Sequence, residues 1–326
     1  MTLFQSTFGA NVGAAPGAPG ATNQAGDTGN DVDVRIWQVF PNGTTQARFM
    51  YKHDGPVLDC RFNNAGDKIA SCGGDSQAKV RTTRRPIRHV RWFEESASPF
   101  LITGSWDRTI KYWNMSTPQP VGSVQLTERV YAMDSVKQLL VVGTADRKIH
   151  IINLANPNSI FKTIDSPLKY QTRVITVFPS MTCFAIGSVE GRCAIHYLDE
   201  KDSKDNFSFK CHRDTANPPT VYMVNDIQVH QGYGTFGTTG SDGAIHFWDK
   251  DARTRLKMFN QAGMGQPIPC MALNKQGNLL AYAVSYDWSK GHEYAPAPGQ
   301  QGQHRIRLHP LADADVKNRP KKTSTR

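Results

Sequence analysis

"ITGSWDRTIKYW" (residues 102–113) is the stretch whose reading decides the fold. Gly104 and Ser105 lead to Asp107, an alternating strand follows, and Trp113 stands six residues after the acid. The arrangement returns as "VGTADRKIHII" at 142–152, "IGSVEGRCAIHY" at 186–197 and "TTGSDGAIHFW" at 238–248. Asp146 precedes Ile152 by six, Asp242 precedes Trp248 by six, and Asp31 precedes Trp37 by six. The units end at 37, 113, 152, 196 and 248, intervals of 76, 39, 44 and 52 residues, the first holding two repeats. A recurrence near forty residues, with room for four short strands each, marks the blade of an all-β propeller.

The third unit parses whole, as "IRHVRW" (87–92), "FLITGS" (100–105), "TIKYWN" (109–114) and "VGSVQL" (121–126). An acid in the turn before the third strand accepts hydrogen bonds from its own turn amides and fixes the register. The Trp contributes a large apolar area toward the neighbouring blade. Because Asp107, Asp146 and Asp242 recur at one position, as do Trp113 and Trp248, they read as a structural repeat rather than as reactive groups.

The first two units break the pattern. "DVDVRIWQVF" supplies a third strand with no first or second before it, and "DSQAKVRTTRR" leaves barely eight residues for a third strand, a fourth and a loop. Against the forty-residue period, about 30 residues are missing near 34 and about a dozen near 80. Residues 32–34 are therefore a candidate for the strand that closes the ring on the last blade. Residues 1–30 are rich in Gly, Ala and Pro and expected to be disordered. The propeller is assigned to 31–311, with a polar insertion at 286–304, and 312–326 to a basic tail whose stretch "VKNRPKKTSTR" (316–326) is expected to be mobile.

The 326 residues carry a net charge of +10, which favours an anionic partner. The N-terminus lacks the basic start and apolar core of a signal peptide. No apolar run reaches the ~18 residues of a membrane span. The six scattered cysteines read as reduced thiols in a reducing compartment. Nucleophile elbow, zinc-protease and P-loop motifs are absent, so no enzyme is expected. His150, His196 and His246 occupy similar positions in three different units. Stacked sheets lie ~10 Å apart, whereas zinc–imidazole bonds span ~2 Å. No metal or cofactor is therefore expected from them.

Several runs resemble the WD40 mRNA-export nucleoporins, the RAE/GLE family. They are "TGSWDRTIKYW", "ERVYAMD" (128–134), "SPLKYQTR" (166–173), "GSVEGRCAIHY", "FSFKCHR" (207–213), "GSDGAIHFWDKDART" (240–254) and "YDWSKGHE" (286–293). The resemblance covers roughly residues 31–320. It implies a seven-bladed WD40 propeller, here with blades one and two incomplete, at the nuclear pore and in the nucleus, shuttling to the cytoplasm. It implies a role in poly(A) RNA export and binding of an acidic GLEBS segment of a phenylalanine–glycine-repeat nucleoporin. By this resemblance Arg192 pairs with glutamates of that segment, with Lys169 and Arg173 as further candidates.

Two neighbouring clusters mix aromatic and basic residues. One holds Phe207, Phe209, Lys210, His212 and Arg213; the other holds Phe247, Trp248, Lys250, Arg253, Arg255 and Lys257. Bases stack on aromatic faces while cations follow phosphates, so such mixtures suit single-stranded RNA. The resemblance adds that Phe209, Trp248, Lys250 and Arg253 match a groove the family uses for RNA. Against this, Trp248 holds a scaffold position, and Asp249 and Asp251 offset part of the charge. Competing readings are the related mitotic-checkpoint WD40 adaptor, which binds checkpoint kinases, and a protein-only scaffold.

Overall fold

The fold is given by a computed structural model that describes residues 2–3, 32–40, 42–78, 81–82, 86–96, 99–260, 262–263, 265–294 and 304–319. The expected disorder of residues 1–30 falls, apart from residues 2–3, outside the described residues, as do Asp31, residues 295–303 of the insertion and residues 320–326 of the tail.

The described residues form seven antiparallel sheets, of which six follow one another as blades. The first blade runs through Val57–Phe62, Ile69–Gly73, Gln77–Ala78 and Arg81–Thr82. The second comprises Ile87–Phe93, Phe100–Ser105, Thr109–Asn114 and Gly122–Gln125, matching the unit that parses whole in the sequence. The third is Val130–Val136, Leu139–Thr144, Lys148–Asn153 and Lys162–Asp165. The fourth is Thr172–Val177, Cys183–Ser188, Arg192–Tyr197 and Phe207–Lys210. The fifth is Val224–Val229, Phe236–Gly240, Ile245–Asp249 and Thr254–Phe259. The sixth has three strands, Met271–Leu273, Leu279–Val284 and Arg305–Pro310. First strands of successive blades touch and so lie innermost.

Among the described residues the ring thus has six blades, not the seven that the resemblance implies. The reason lies in residues 33–52. They form only a hairpin, Asp33–Val39 against Thr45–Lys52, with Thr2–Leu3 added along its other edge. Apart from the two-residue strand Thr2–Leu3, no strand joins that edge among the described residues, and the hairpin's second strand is exposed along nearly its whole length. Residues 32–34 therefore do not close the ring on the last blade; Asp33 pairs with Lys52 instead. The next unit, expected to be short of strands, completes its sheet by compression into two strands of two residues each.

Apolar packing lies between blades, so strands are buried on both faces. All six residues of Leu139–Thr144 and of Cys183–Ser188 are buried. Ile102, Ile110 and Tyr112 of the second blade pack on Met133, Leu140 and Val142 of the third. Equivalent clusters join the first blade to the second, the third to the fourth, the fourth to the fifth and the fifth to the sixth. Each fully buried aliphatic or aromatic side chain contributes about 1.5–3 kcal/mol. The glycine near the end of the second strand makes this approach possible. A Cβ on Gly187 would stand 2.7 Å from Val174 and 2.8 Å from Val224 of the next blade.

A belt of polar contacts also links the inner strands. Arg91 donates to Asp59 of the first blade at 2.6 Å and to Asp134 of the third at 2.9 Å. Asp134 accepts the Val177 amide of the fourth at 2.9 Å. Thr176 donates to the Ile227 carbonyl of the fifth at 2.7 Å, and Asp226 accepts the Met271 amide of the sixth at 2.9 Å. Burial alone would raise the Asp59 carboxyl, but Arg91 and Arg61 hold it well below the usual carboxylate range. Asp226 accepts mainly from neutral donors, and burial pushes it up to about 6.

The start of the C-terminal tail is packed against the fifth blade. Residues Asp313–Val316 form one helical turn with Val316 buried against the fifth blade. Thr235 donates to the Val316 carbonyl at 2.6 Å, and the Arg319 amide to Asp249 at 3.2 Å.

Candidate peptide and nucleic-acid surfaces

Asp107 and Trp113 sit in scaffold networks, as the repeat implies. The Thr109 amide and hydroxyl both donate to Asp107, at 3.0 and 2.6 Å. Trp113 Nε1 donates to Thr103 Oγ1 at 2.8 Å and Trp248 Nε1 to Thr238 Oγ1 at 3.0 Å. Asp146 accepts from Thr144 Oγ1 at 2.5 Å. Asp242 takes a partner that the sequence pattern did not reveal. His212 Nδ1 lies 2.9 Å from Asp242, and its Nε2 2.9 Å from Thr238 Oγ1. His53, Asp75 and Ser71 repeat the device at the first blade. His212 is therefore buried scaffold, not part of the exposed aromatic–basic cluster to which its spacing assigned it.

One atom each of His212, Asp242 and His246 fall within 4.8 Å of one another. The two imidazoles nevertheless stack 4.5 Å apart and 3° from parallel. Both His212 nitrogens are occupied, by Asp242 and by Thr238. Burial brings the His246 pKa down to about 3, so the ring is neutral near pH 7.

Up-and-down strand order places the turns between second and third strands, and the links between blades, on one end face. The turns between third and fourth strands lie on the other. Arg192 begins a third strand and so belongs to the first of these faces; it donates to Ser208 Oγ at 3.1 Å. Lys169 lies on the same face, in the link into the fourth blade, with its amide on Glu190 Oε1 at 3.1 Å and its carbonyl accepting from Arg147 at 3.0 Å. Arg213 donates to the Glu190 carbonyl at 3.0 Å. Lys210 is directly opposite Arg192 in register. Tyr170 and Val221, both exposed, add apolar surface beside these cations. The acids of this region are Asp146, Asp165, Glu190 and Asp214, with Asp165 paired to Lys148 at 2.7 Å. Arg173 lies at the same end of the ring as Lys169 but closer to the axis. It occupies a bulge of the fourth blade's first strand, with Nη2 3.5 Å from the Asp287 carbonyl of the sixth blade.

The second surface lies between the fourth and fifth blades, toward the opposite face. Phe209 and Trp248 are 4.6 Å apart, and Phe207 stacks on Phe209 at 6.0 Å. Arg253, half exposed, sits 4.8 Å above Phe207 and 3.4 Å from Asp205. Arg255 lies 6.0 Å above Trp248. Lys250 rests over Phe178 and Tyr197 and binds Asp251 at 2.7 Å. Burial would lower its pKa, but Asp251 outweighs it and holds the ammonium charged. The structure therefore gathers Phe209, Trp248, Lys250, Arg253 and Arg255 from the sequence-derived cluster. Lys210 and Arg213 are separated from them, because Lys210 is three residues beyond Phe207 along the strand, ~10 Å toward the Arg192 face.

The sheet order and these Asp, His and Trp networks define a WD40 β-propeller. Residues 44–81 and 85–114 match the WD domain, G-beta repeat. The chain is 46% identical over 305 residues to the mRNA export factor GLE2 of Chaetomium thermophilum, covering 89% of this chain and 84% of that protein. It is 46% identical to the poly(A)+ RNA export protein of Schizosaccharomyces pombe, over 90% of this chain and 85% of that one. Identity to the mRNA export factor of Danio rerio is 42%, over 86% and 80%. The chain belongs to the RAE/GLE family of WD40 mRNA export factors. No helix among the described residues is long and apolar enough to cross a membrane.

Proposed function

We propose that the chain is a non-enzymatic adaptor in poly(A) mRNA export at the nuclear pore. It holds an acidic GLEBS-type segment of a phenylalanine–glycine-repeat nucleoporin on the Arg192 face and single-stranded RNA on the Phe209–Trp248 surface. The observation that carries this reading is the pairing of two unlike cationic surfaces on one rigid ring. One sets Arg192, Lys169, Lys210 and Arg213 beside exposed apolar side chains. The other sets Arg253 and Arg255 over aromatic rings. The first suits an extended acidic peptide, whose glutamates pair with fixed cations while its apolar side chains cover Tyr170 and Val221. The second suits bases and phosphates. The printed names of the relatives supply the process.

Arg192→Glu reverses the charge at the centre of the peptide face without touching the core. Capture of an acidic nucleoporin peptide should fall by about a hundredfold, as for a close ion pair replaced by repulsion, with melting temperature unchanged. Wild-type capture by the folded variant removes Arg192 from the site. Replacing Phe209, Lys250 and Arg253 together should weaken single-stranded RNA binding and flatten its salt dependence. An unchanged salt slope in the folded triple variant removes RNA from the second surface.

A further inference from the structure

Five blades carry a β-bulge at the same place, at the start of the first strand. Leu58, Arg88, Tyr131, Arg173 and Asn225 occupy these bulges. A bulge re-aims the side chain it carries. Since the first strands are innermost, the five residues form a collar around one mouth of the central axis. The contacts bear this out. Arg88 Nη1 donates to the Leu58 carbonyl of the preceding blade at 3.0 Å, and His89 Nε2 lies 3.1 Å from the Tyr131 carbonyl of the next. Arg173, on the fourth blade, reaches Asp287 on the sixth, and Asn225 Nδ2 donates to Asp287 Oδ2 at 2.8 Å. A side chain that reaches a backbone carbonyl two blades away spans the mouth.

The two collar arginines differ from the other inner cations. Arg91 is neutralised by Asp59 and Asp134, and Arg61 lies 3.4 Å from Asp59. Arg88 and Arg173 reach only backbone carbonyls, and no carboxylate among the described residues lies within ion-pair distance of either. The acid facing them is Asp287, whose carboxylate is already engaged by Asn225, by Ser241 Oγ at 2.5 Å and by the Ser289 amide at 3.1 Å. Asp59 belongs to Arg91, and the Asp226 carboxylate accepts the Met271 and Ile227 amides. Burial, then the neighbouring charge of Arg88, weakens the hold of Arg173 on its proton. Among the described residues, the mouth thus holds two partly desolvated guanidiniums that feel the charge of Asp59 and Asp287 but are directly paired with no carboxylate.

We propose that Arg88 and Arg173 clamp a phosphate-type oxyanion at this mouth of the axis. Guanidinium forks match oxyanion geometry, and two of them arriving from blades on different sides of the mouth suit a tetrahedral dianion better than a planar carboxylate. The site lies at the same end of the ring as Arg192 but nearer the axis, on the innermost strands, and away from the Phe209 surface. Its bound anion would tie the second and fourth blades together and stabilise the ring by mass action.

The test is calorimetric titration of inorganic phosphate into the full chain in phosphate-free buffer, with acetate as the planar comparison. One saturable phosphate site is expected, with acetate weaker. Arg173→Gln and Arg88→Gln should each raise the dissociation constant about tenfold or more, as for loss of a charged hydrogen-bond donor. Arg192→Gln should leave it unchanged, which separates this site from the peptide face. Should Arg88→Gln fail to fold, Arg173→Lys keeps the charge, loses the fork and should still weaken binding. Absence of a saturable site in the wild type, equal affinity in the Arg173 variants, or acetate binding as tightly as phosphate would overturn the assignment.

Discussion

At the scale of single residues, Asp226 is a carboxylate whose ionisation the fold opposes. Burial lifts its pKa in the folded chain to about 6, from an ordinary value of 3.8. The protonated form therefore stabilises the fold, fully below pH ~4, and that contribution is lost as pH rises through 6. A rise of this size corresponds to about 3 kcal/mol. Asp226→Asn should flatten the decline in urea midpoint between about pH 4 and pH 7; an identical decline in the variant contradicts the assignment. The repeat acids and tryptophans were legible in the sequence because turn chemistry is local: Asp107 acts on residues two positions away. The fate of His212 and Arg173 was not. Their partners, Asp242 and Asp287, lie 30 and 114 residues further along the chain. Spacing carries no information about such contacts.

At the scale of elements, the same distinction separates what was legible from what was not. The four strands of the second blade agree with the sequence reading to within a residue or two, since alternation and turn residues mark their limits. The strands Gln77–Ala78 and Arg81–Thr82 were not legible: two residues cannot show a period. Nor was the packing of Asp313–Val316, a turn too short for a helical pattern. Truncation before residue 312 removes the buried Val316, the hydrogen bond from Thr235 and the Lys257–Asp315 pair at 3.1 Å. Burying one such side chain and satisfying one buried hydroxyl together are worth about 2–4 kcal/mol. The truncated chain should therefore melt several degrees lower. Unchanged melting would mean that the tail does not brace the fifth blade.

For the whole molecule, the propeller class was fixed by a forty-residue recurrence, but the blade count was not. Counting blades requires knowing whether residues 33–52 pair with the last sheet or with themselves, and pairing between distant strands is not written in periodicity. The ring also decides where the candidate residues stand relative to one another. Phe207 and Lys210 share a strand, yet its direction sends one toward the aromatic surface and the other toward Arg192. The central claim is that the acidic-peptide face and the nucleic-acid surface lie toward opposite ends of one rigid ring and do not compete. RNA affinity measured with and without a saturating acidic nucleoporin peptide tests it directly. A ternary complex with RNA affinity within about twofold of the peptide-free value is expected for separate sites on a rigid body; displacement of RNA by the peptide would contradict it.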